Sequence, residues 1–309
     1  MSVDSAVAAI DCGSNSTRTL IVDGNGHALL REMHITRLSQ GVDASSELLP
    51  EAMERSFKVL RRYREACDDA GVTKGLLVAT SAVRDATNGS AFLSRAHDIV
   101  GFDARTLGGD EEAAYSYAGA SGDLDKVKTP TMIVDVGGGS TELAVELDGR
   151  IVSYSMQLGC VRVSERALGR GVVTSESDAA ARAMIALEID RAFGAQPAFR
   201  DVVANVRLVG LAGTVATLAQ LDAGLLDYDR DVVHHRVLSR STVQHWRDLL
   251  SRELPEERLQ HPGMVLGRED VLPAGLYILD EVMERFNVDH LLSSESDILD
   301  GITSALLGP

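Results

Sequence analysis

Apolar and polar positions divide the chain into two halves that open with the same pattern. A short apolar run leads into a glycine-rich polar segment, a second apolar run follows, and a turn precedes a third run. The first runs are residues 6–10 and 132–134, and the turns are residues 23–26 and 148–149. Runs of this length separated by Asp and Gly are typical of strands joined in hairpins. Each half is therefore predicted to begin with strand, glycine-rich loop, strand, turn and strand.

The two glycine-rich segments also match residue by residue. Residues 10–17 align with residues 134–141, so that Asp11 recurs as Asp135 and the following Gly, Ser and Thr recur at the same offset. Self-similarity at a fixed offset indicates a duplicated structural unit. The sequence therefore predicts two related α/β domains.

Helical spacing alternates with short apolar runs after each opening. The first half is predicted to continue to a βββαβαβα order, with helices at 50–70, 90–100 and 111–120 and strands at 75–80 and 103–107. The second half is predicted to carry extra helices, at 176–193, 214–221, 241–252 and 271–285, with strands at 202–211 and 290–292. The polar stretch 121–129 ends at Pro130 and resembles a linker, so the expected domains are 1–128 and 129–309.

Composition and charge exclude several classes of protein. Hydrophobic residues make up 45% and charged residues 25% of the chain, which is typical of a globular protein. The net charge of −16 argues against a protein that binds nucleic acid or anionic membranes through a basic face. A polyanionic ligand would have to be held locally, by backbone amides, a metal ion or a few arginines.

Cysteine usage and hydropathy predict a cytoplasmic protein. There are three cysteines and no C-x-x-C pair, so neither a disulfide framework nor a zinc knuckle is expected. No run approaches the ~18 consecutive apolar residues of a membrane span. Export and membrane anchoring are therefore not expected.

The glycine-rich segments are candidates for binding phosphate. Turns rich in glycine expose successive backbone N–H groups and form concavities that accept anions. The candidate phosphate ligands are Gly13, Ser14, Asn15 and Ser16 in the first copy and Gly137, Gly138, Gly139, Ser140 and Thr141 in the second. Asp11 and Asp135, which open the loops, are hard carboxylates suited to Mg²⁺. The alternative is that the glycines only join strands and the aspartates serve the turns.

Two acidic positions are candidates for activating water or holding a metal ion. Glu112 lies beside Glu111 near the start of a predicted helix, where either could be a helix-capping residue or Glu112 a general base. Glu142 directly follows the second loop and could be a ligand of a metal ion or a residue on the surface of a hairpin.

Two further segments follow predicted strands at the edge where open α/β sheets bind ligands. Arg84 could bind a phosphoryl oxygen in bidentate fashion or form a surface pair with Asp85. Gly213 and Thr214, in the stretch 210–214, could bind phosphate at a helix N-terminus or allow close packing of strand on helix.

Five segments in order resemble the exopolyphosphatase/guanosine pentaphosphate phosphohydrolase family. They are residues 11–16 (DCGSNS), 80–86 (TSAVRDA), 109–113 (GDEEA), 135–142 (DVGGGSTE) and 210–214 (GLAGT). The resemblance covers about 200 residues, and the chain is similar to the short, two-domain form of the family. It implies two RNase H-like domains of the actin-like ATPase superfamily with an active site in the cleft between them.

The resemblance also implies a reaction. The family releases orthophosphate from the end of inorganic polyphosphate with Mg²⁺, and the second glutamate of its Gly-x-Glu-Glu-Ala motif, here Glu112, is the general base. Arg84 would hold a phosphoryl oxygen, and Asp11, Asp135 and Glu142 would lie near the metal ion. Hydrolysis of guanosine pentaphosphate (pppGpp) is the alternative substrate assignment. The family further implies a homodimer. Two less favoured hypotheses are an acceptor-dependent kinase of the same fold and a sensor of phosphate chains without catalysis.

Overall fold

The computed structural model describes residues 6–308, which form two compact units. The first unit runs up to Gly119 and also contains the C-terminal stretch from Ile298, and the second unit is Ala120–Asp297. The sequence-based boundary at 128 thus lies inside the second unit. The helix that precedes the polar stretch 121–129 runs on to Ser121, so the boundary between the two units falls within this helix.

The helices and strands follow in chain order. Up to the helix that crosses the boundary they are β1 (Val7–Cys12), β2 (Ser16–Val22), β3 (Ala28–Ile35), α1 (Val42–Ser45), α2 (Pro50–Asp69), β4 (Lys74–Ala79), α3 (Ser81–Asp85), α4 (Gly89–Val100), β5 (Asp103–Thr106) and α5 (Gly109–Ser121). They continue as β6 (Thr131–Val136), β7 (Thr141–Leu147), β8 (Arg150–Met156), α6 (Cys160–Val163), α7 (Ser175–Ala195), β9 (Arg207–Leu211), α8 (Ala212–Ala223), α9 (Arg230–Val233), β10 (Val237–Ser239), α10 (Arg240–Leu250), α11 (Pro255–Arg258), α12 (Leu272–Arg285), β11 (His290–Ser293) and α13 (Ile298–Leu307). A π-helical turn, Ser164–Leu168, extends α6, and a 3₁₀ helix covers Pro197–Val202.

The two sheets share one strand order. In the first unit it is β3-β2-β1-β4-β5, and in the second β8-β7-β6-β9-β11 repeats it, with β10 added beside β11. In both, the opening hairpins are antiparallel and the later strands β4, β5, β9 and β11 run parallel to the first. This is the RNase H-like arrangement, so the predicted fold and its duplication are confirmed.

The predictions from the sequence began one strand too early and missed several short elements. The strand expected over 202–211 begins only at Arg207, because Pro197 starts a helical turn and Ala204 then adopts a left-handed conformation with φ 59°. Neither β10 nor the π-helical turn was expected, since each is too short to show a period. Within residues 6–308 no helix has both the length and the apolar character needed to cross a bilayer.

Both faces of the first sheet are covered. Ala8, Ile10 and Cys12 of β1 belong to a core with α2 and α4, while the alternate residues Val7 and Ala9 pack with α13. This alternation follows from the two-residue period of a strand. The C-terminal helix thus completes the hydrophobic core of the first unit.

Removing apolar surface from α13 should destabilise that unit. Ile302 is fully buried against β1 and β2, so Ile302→Ala is expected to lower the free energy of unfolding by about 2–5 kcal/mol. Urea denaturation measures the loss. The exposed neighbour Ser304 provides the control, because Ser304→Ala should change the stability by less than about 0.5 kcal/mol. An equal, small effect of both changes would show that α13 is not part of the core.

Candidate active site

Two loops of identical geometry follow the first strand of each sheet. Loop 1 is residues 13–16, and loop 2 is residues 137–140. The N–H of Gly13 donates to the carbonyl of Ser16 at 3.0 Å, and the N–H of Gly137 donates to the carbonyl of Ser140 at the same distance. A Cβ at either glycine would lie only 3.0–3.1 Å from that oxygen. Both turns therefore depend on glycine at the first position.

The carbonyls of loop 2 are bound from one side. Gly137 accepts the N–H of Cys160, and Gly138 accepts that of Val161, each at 2.9 Å. Gly139 accepts Nε of Arg162 at 2.8 Å. Close approach of this segment requires glycine before α6, because a Cβ at position 159 would lie 2.3 Å from the Gly138 oxygen.

The carbonyls of loop 1 are bound in the equivalent way by a different segment. Ser14 accepts the N–H of Ser39 at 2.9 Å, and Asn15 accepts the N–H groups of Thr36 and Arg37 at 3.0 and 2.9 Å. In a trans peptide, the C=O of one residue and the N–H of the next point in opposite directions. The N–H groups of residues 15 and 16, like those of 138–140, are thus turned away from these partners, as N–H groups are in loops that bind anions.

Two side chains of loop 1 also contribute: that of Asn15 offers a hydrogen-bond donor, and that of Ser14 fixes the loop to a helix. Asn15 is only 5% exposed, and its Nδ2 has no hydrogen-bond partner within residues 6–308. A buried N–H group without a partner costs free energy, which an oxygen of a ligand would recover. Ser14 and Ser81 share a hydrogen bond of 3.0 Å between their Oγ atoms, so loop 1 is fixed to the start of α3.

An arginine and a glutamate meet at the same edge of the first sheet. Arg84 of α3 follows β4, and Glu112 of α5 follows β5. Nη1 of Arg84 donates to the Leu107 carbonyl at 2.9 Å and lies 3.4 Å from Oε2 of Glu112. Arg84 therefore takes part in this buried contact rather than in a purely superficial pair with its neighbour Asp85.

The adjacent glutamates of α5 occupy different environments. Glu111 is partly exposed and pairs with Arg105 at 2.6 Å, and the hydrogen bond from this guanidinium lowers the pKa of Glu111. Glu112 is only 7% exposed and lies beside Arg84. Helix capping accounts for Glu111, whereas Glu112 has the burial and the neighbour of a functional carboxylate.

The duplicated sheets differ at one pair of facing residues. Asp11 stands opposite Arg18 across β1 and β2, and Arg18 donates to Oδ2 of Asp11 at 2.6 and 3.1 Å. At the equivalent place in the second sheet, Asp135 stands opposite Glu142. Both of these carboxylates are buried, and Ser155 donates to Oε1 of Glu142 at 2.6 Å. Glu142 is therefore no surface residue of the hairpin.

The facing residues in the two sheets indicate which sheet could hold a cation. Two buried carboxylates on facing strands supply the hard oxygen ligands that Mg²⁺ prefers. The pair Asp135 and Glu142 thus fits a magnesium ion, whereas the charge of Asp11 is already offset by Arg18.

The segment 210–214 has mainly a packing role. A Cβ at Gly210 would lie 2.8 Å from the side chains of Leu291 and Val215, and Thr214 packs tightly against Gly275. Gly213 differs, because the guanidinium of Arg268 occupies the space where its Cβ would stand, 1.8 Å from Cζ. Thr141 likewise donates inward, to the Leu158 carbonyl at 2.5 Å.

Comparison with known proteins decides the family. The model of the Ppx/GppA phosphatase family matches residues 20–307. The chain belongs to the Ppx/GppA phosphatase family. It is 36% identical to exopolyphosphatase 2 of Mycobacterium tuberculosis over 98% of both chains.

Solved structures agree with this membership. The crystal structure of an exopolyphosphatase-like protein is 32% identical, with a TM-score of 0.89 and coverage of 96% of this chain and 97% of that one. The Ppx/GppA family member of Aquifex aeolicus is 28% identical, with a TM-score of 0.79 and coverage of 98% of both chains. The predicted membership of a phosphatase family is confirmed.

Three arginines near the loops of this Ppx/GppA protein escaped the sequence analysis. They are Arg18, Arg162 and Arg268. The constant offset between the halves could have revealed the first, because it aligns Arg18 with Glu142 and so marks a reversal of charge. Arg268 lies far along the chain from the loops, and only the fold brings it to Gly213.

The adjacent histidines 234 and 235 form a cluster with Asp123. Their rings stack at 3.8 Å, and Nε2 of His234 lies 3.0 Å from Oδ2 of Asp123. The N–H of Glu295 donates to Nδ1 of His234 at 3.0 Å. Neutral His234 must then carry its proton on Nε2 and donate it to Asp123. A metal ion at Nε2 would force that proton onto Nδ1, which already accepts the N–H of Glu295. We therefore interpret the cluster as a structural brace held by hydrogen bonds.

Acid should weaken this brace. Burial lowers the pKa of His234 below its ordinary value of 6.5, with His235 and Arg230 adding to the effect. His234 of the unfolded chain therefore takes up a proton at a higher pH than His234 of the folded protein. The contribution to stability that is present above pH ~6.5 is lost as the pH falls toward the pKa of the folded state.

We expect His234→Gln to flatten the pH dependence of the free energy of unfolding over this range. Urea titrations between pH 7.5 and 5 measure it, and His290→Gln, at an exposed histidine, is the control. An unchanged pH dependence in His234→Gln would contradict the assignment.

Proposed function

We propose that the protein releases orthophosphate from the end of inorganic polyphosphate. The observation that carries the proposal is the fixed orientation of the amides in each loop, which offers several N–H donors to a phosphate group. The similarity to an exopolyphosphatase over nearly the whole chain supports the same substrate.

Phosphate binding is assigned mainly to the backbone. In loop 1 the donors are the N–H groups of Asn15 and Ser16 together with Nδ2 of Asn15, and in loop 2 they are the N–H groups of residues 138–140. Backbone donors explain how a chain with a net charge of −16 binds a polyanion. The hydroxyl of Thr141 and the side chain of Thr214 are left with structural roles, since both are engaged inside the fold.

Glu112 is assigned as the general base. The oxygen of a water molecule attacks the terminal phosphorus, and one proton of this water passes to the carboxylate of Glu112. The bond between phosphorus and the bridging oxygen breaks, and the shortened chain leaves with that oxygen. Phosphoryl transfer needs mainly positioning and neutralisation of charge, so one carboxylate suffices for the proton.

Two arginines are assigned to the phosphoryl oxygens. Both contacts of Arg84 described above use Nη1, which leaves Nε and Nη2 to serve an oxygen of the substrate. Arg268 lies over Gly213 at the start of α8, where any larger residue would displace it. Arginine suits this role because its planar donors match two oxygens at once.

Magnesium is assigned to Asp135 and Glu142, whose buried oxygens match its preferred ligands. When bound, Mg²⁺ would neutralise charge on the phosphate oxygens. We assign Oδ2 of Asp11 to holding Arg18, because it accepts both hydrogen bonds from that guanidinium, and Oδ1 of Asp11 stays a predicted ligand of the metal ion.

The second candidate substrate is pppGpp, since the family description includes the GppA enzymes. Its terminal phosphate would meet the same loops and the same base, and only the guanosine part would need a further pocket. The ratio of kcat/KM for tripolyphosphate and longer polyphosphates to that for pppGpp, measured on the purified chain, separates the two assignments. Turnover that requires a second phosphate acceptor would instead indicate a kinase.

Glu112→Gln is expected to lower kcat by at least about 100-fold while leaving Tm nearly unchanged, because it removes only the proton acceptor. Release of orthophosphate from tripolyphosphate measures the effect. Glu111→Gln is the matched control, one residue away on the same helix, and should retain most of the activity. A loss below about tenfold in Glu112→Gln would refute the base assignment.

Glu142→Gln is expected to weaken binding of Mn²⁺, used as a probe for Mg²⁺, by about 10–100-fold. The reason is that it removes one of two buried anionic ligands. Electron paramagnetic resonance of free Mn²⁺ measures the affinity without any turnover. Glu146→Gln, on the same strand but exposed, should bind normally; equal affinities in the two variants would place the cation elsewhere.

A further inference from the structure

Loop 1 is held by a segment that lies far from it in sequence. This clamp segment, residues 36–39, provides the N–H groups that bind the carbonyls of Ser14 and Asn15. Its Thr36 hydroxyl also shares a hydrogen bond of 2.9 Å with the hydroxyl of Thr17, directly after loop 1. The direction of the loop 1 amides therefore depends on where the clamp segment stands.

The clamp segment contains a residue in an unfavourable conformation. Arg37 has φ 49°, in the left-handed region that residues with a Cβ rarely adopt. Such a conformation persists only where surrounding contacts hold it. Its own N–H donates to the carbonyl of Asn15, and its carbonyl accepts hydrogen bonds from the N–H of Gln40 and from Arg55 of helix α2.

Arg55 of α2 binds the clamp segment from behind. Its Nε donates to the carbonyl of Thr36 at 2.8 Å, and Nη2 donates to the carbonyl of Arg37 at 3.3 Å and to Oε1 of Gln40 at 3.1 Å. Arg55 is exposed. Its three hydrogen bonds nevertheless converge on one segment, in the rigid fork that only a guanidinium provides.

We infer that Arg55 is a positioning residue for the phosphate loop of the first unit. It holds the clamp segment, the clamp segment holds the carbonyls of loop 1, and the amides of Asn15 and Ser16 are thereby aimed at the substrate. The inference rests on the proposed function, since it concerns how loop 1 binds phosphate. Arg55 itself needs no contact with the substrate.

The expected consequence is weaker binding rather than loss of the fold. Donors fixed in advance avoid the cost of ordering when the ligand binds, so a loop that is free to rotate its peptides binds more weakly. Because Arg55 is exposed, its replacement leaves no cavity and no buried charge.

The test measures affinity without turnover. Titration calorimetry with tripolyphosphate is performed on Glu112→Gln protein, alone and combined with Arg55→Met, Arg55→Lys or Lys58→Met. We expect Arg55→Met to raise Kd about tenfold, and Arg55→Lys to raise it several-fold because it keeps the charge but loses the fork. Lys58→Met removes the same charge from an exposed position on the same helix and should leave Kd unchanged.

Hydrogen exchange supplies a readout that does not depend on the ligand. In Arg55→Met the amides of Thr36, Arg37 and Ser39 should exchange faster, while Lys58→Met should preserve their protection.

Full recovery by Arg55→Lys, or equal weakening by Lys58→Met, would show an effect of charge alone and overturn the inference. Faster exchange with unchanged Kd would overturn it too. Failure of Glu112→Gln protein to bind tripolyphosphate would instead count against the proposed function, and the role of Arg55 would fall with it.

Discussion

The candidate active site depends on hydrogen bonds made by the carbonyl side of two glycine-rich loops. A peptide has two polar faces, and a partner that binds the C=O fixes where the neighbouring N–H points. Both units use this constraint with different partners: the start of α6 and Arg162 in one, and the clamp segment in the other. The glycines supply the tight turn, but the remote partners decide the direction in which it binds.

The two units share one scaffold, and they differ in charge at a pair of facing residues near the loops. The first sheet places an arginine opposite its aspartate, and the second places a glutamate there. One half therefore presents an aspartate whose charge is offset internally, while the other presents a pair of carboxylates suited to a cation. The facing pair of carboxylates proposed to bind the metal ion thus belongs to the second unit alone, while the proposed phosphate-binding amides are present in both units.

Much of this architecture could be read from the sequence, because the signals are local. The hairpins, the glycine-rich loops and the long helices are each encoded within about twenty residues, and the offset of the repeat revealed the duplication. The residues alone did not distinguish Glu112 from Glu111, and only the family resemblance singled out Glu112, since the ion pair of Glu111 with Arg105 is formed only in the fold. Arg268 at Gly213 and Arg55 behind the clamp segment arise from long-range packing that no periodicity encodes. The packing of α13 against the first unit likewise depends on long-range contacts that no periodicity encodes.

Because α13 belongs to the first unit, the second unit is inserted within the first along the chain. The strands of the first sheet are synthesised early, but the helix that covers one of their faces comes almost at the end of the chain. During translation the second unit can thus complete its core while the first still exposes apolar strands. The latest contacts join residues separated by nearly the whole sequence, and such closure is slow and leaves these strands vulnerable to aggregation. Assembly of the unit that holds the proposed base therefore waits until the residues of α13 have been synthesised.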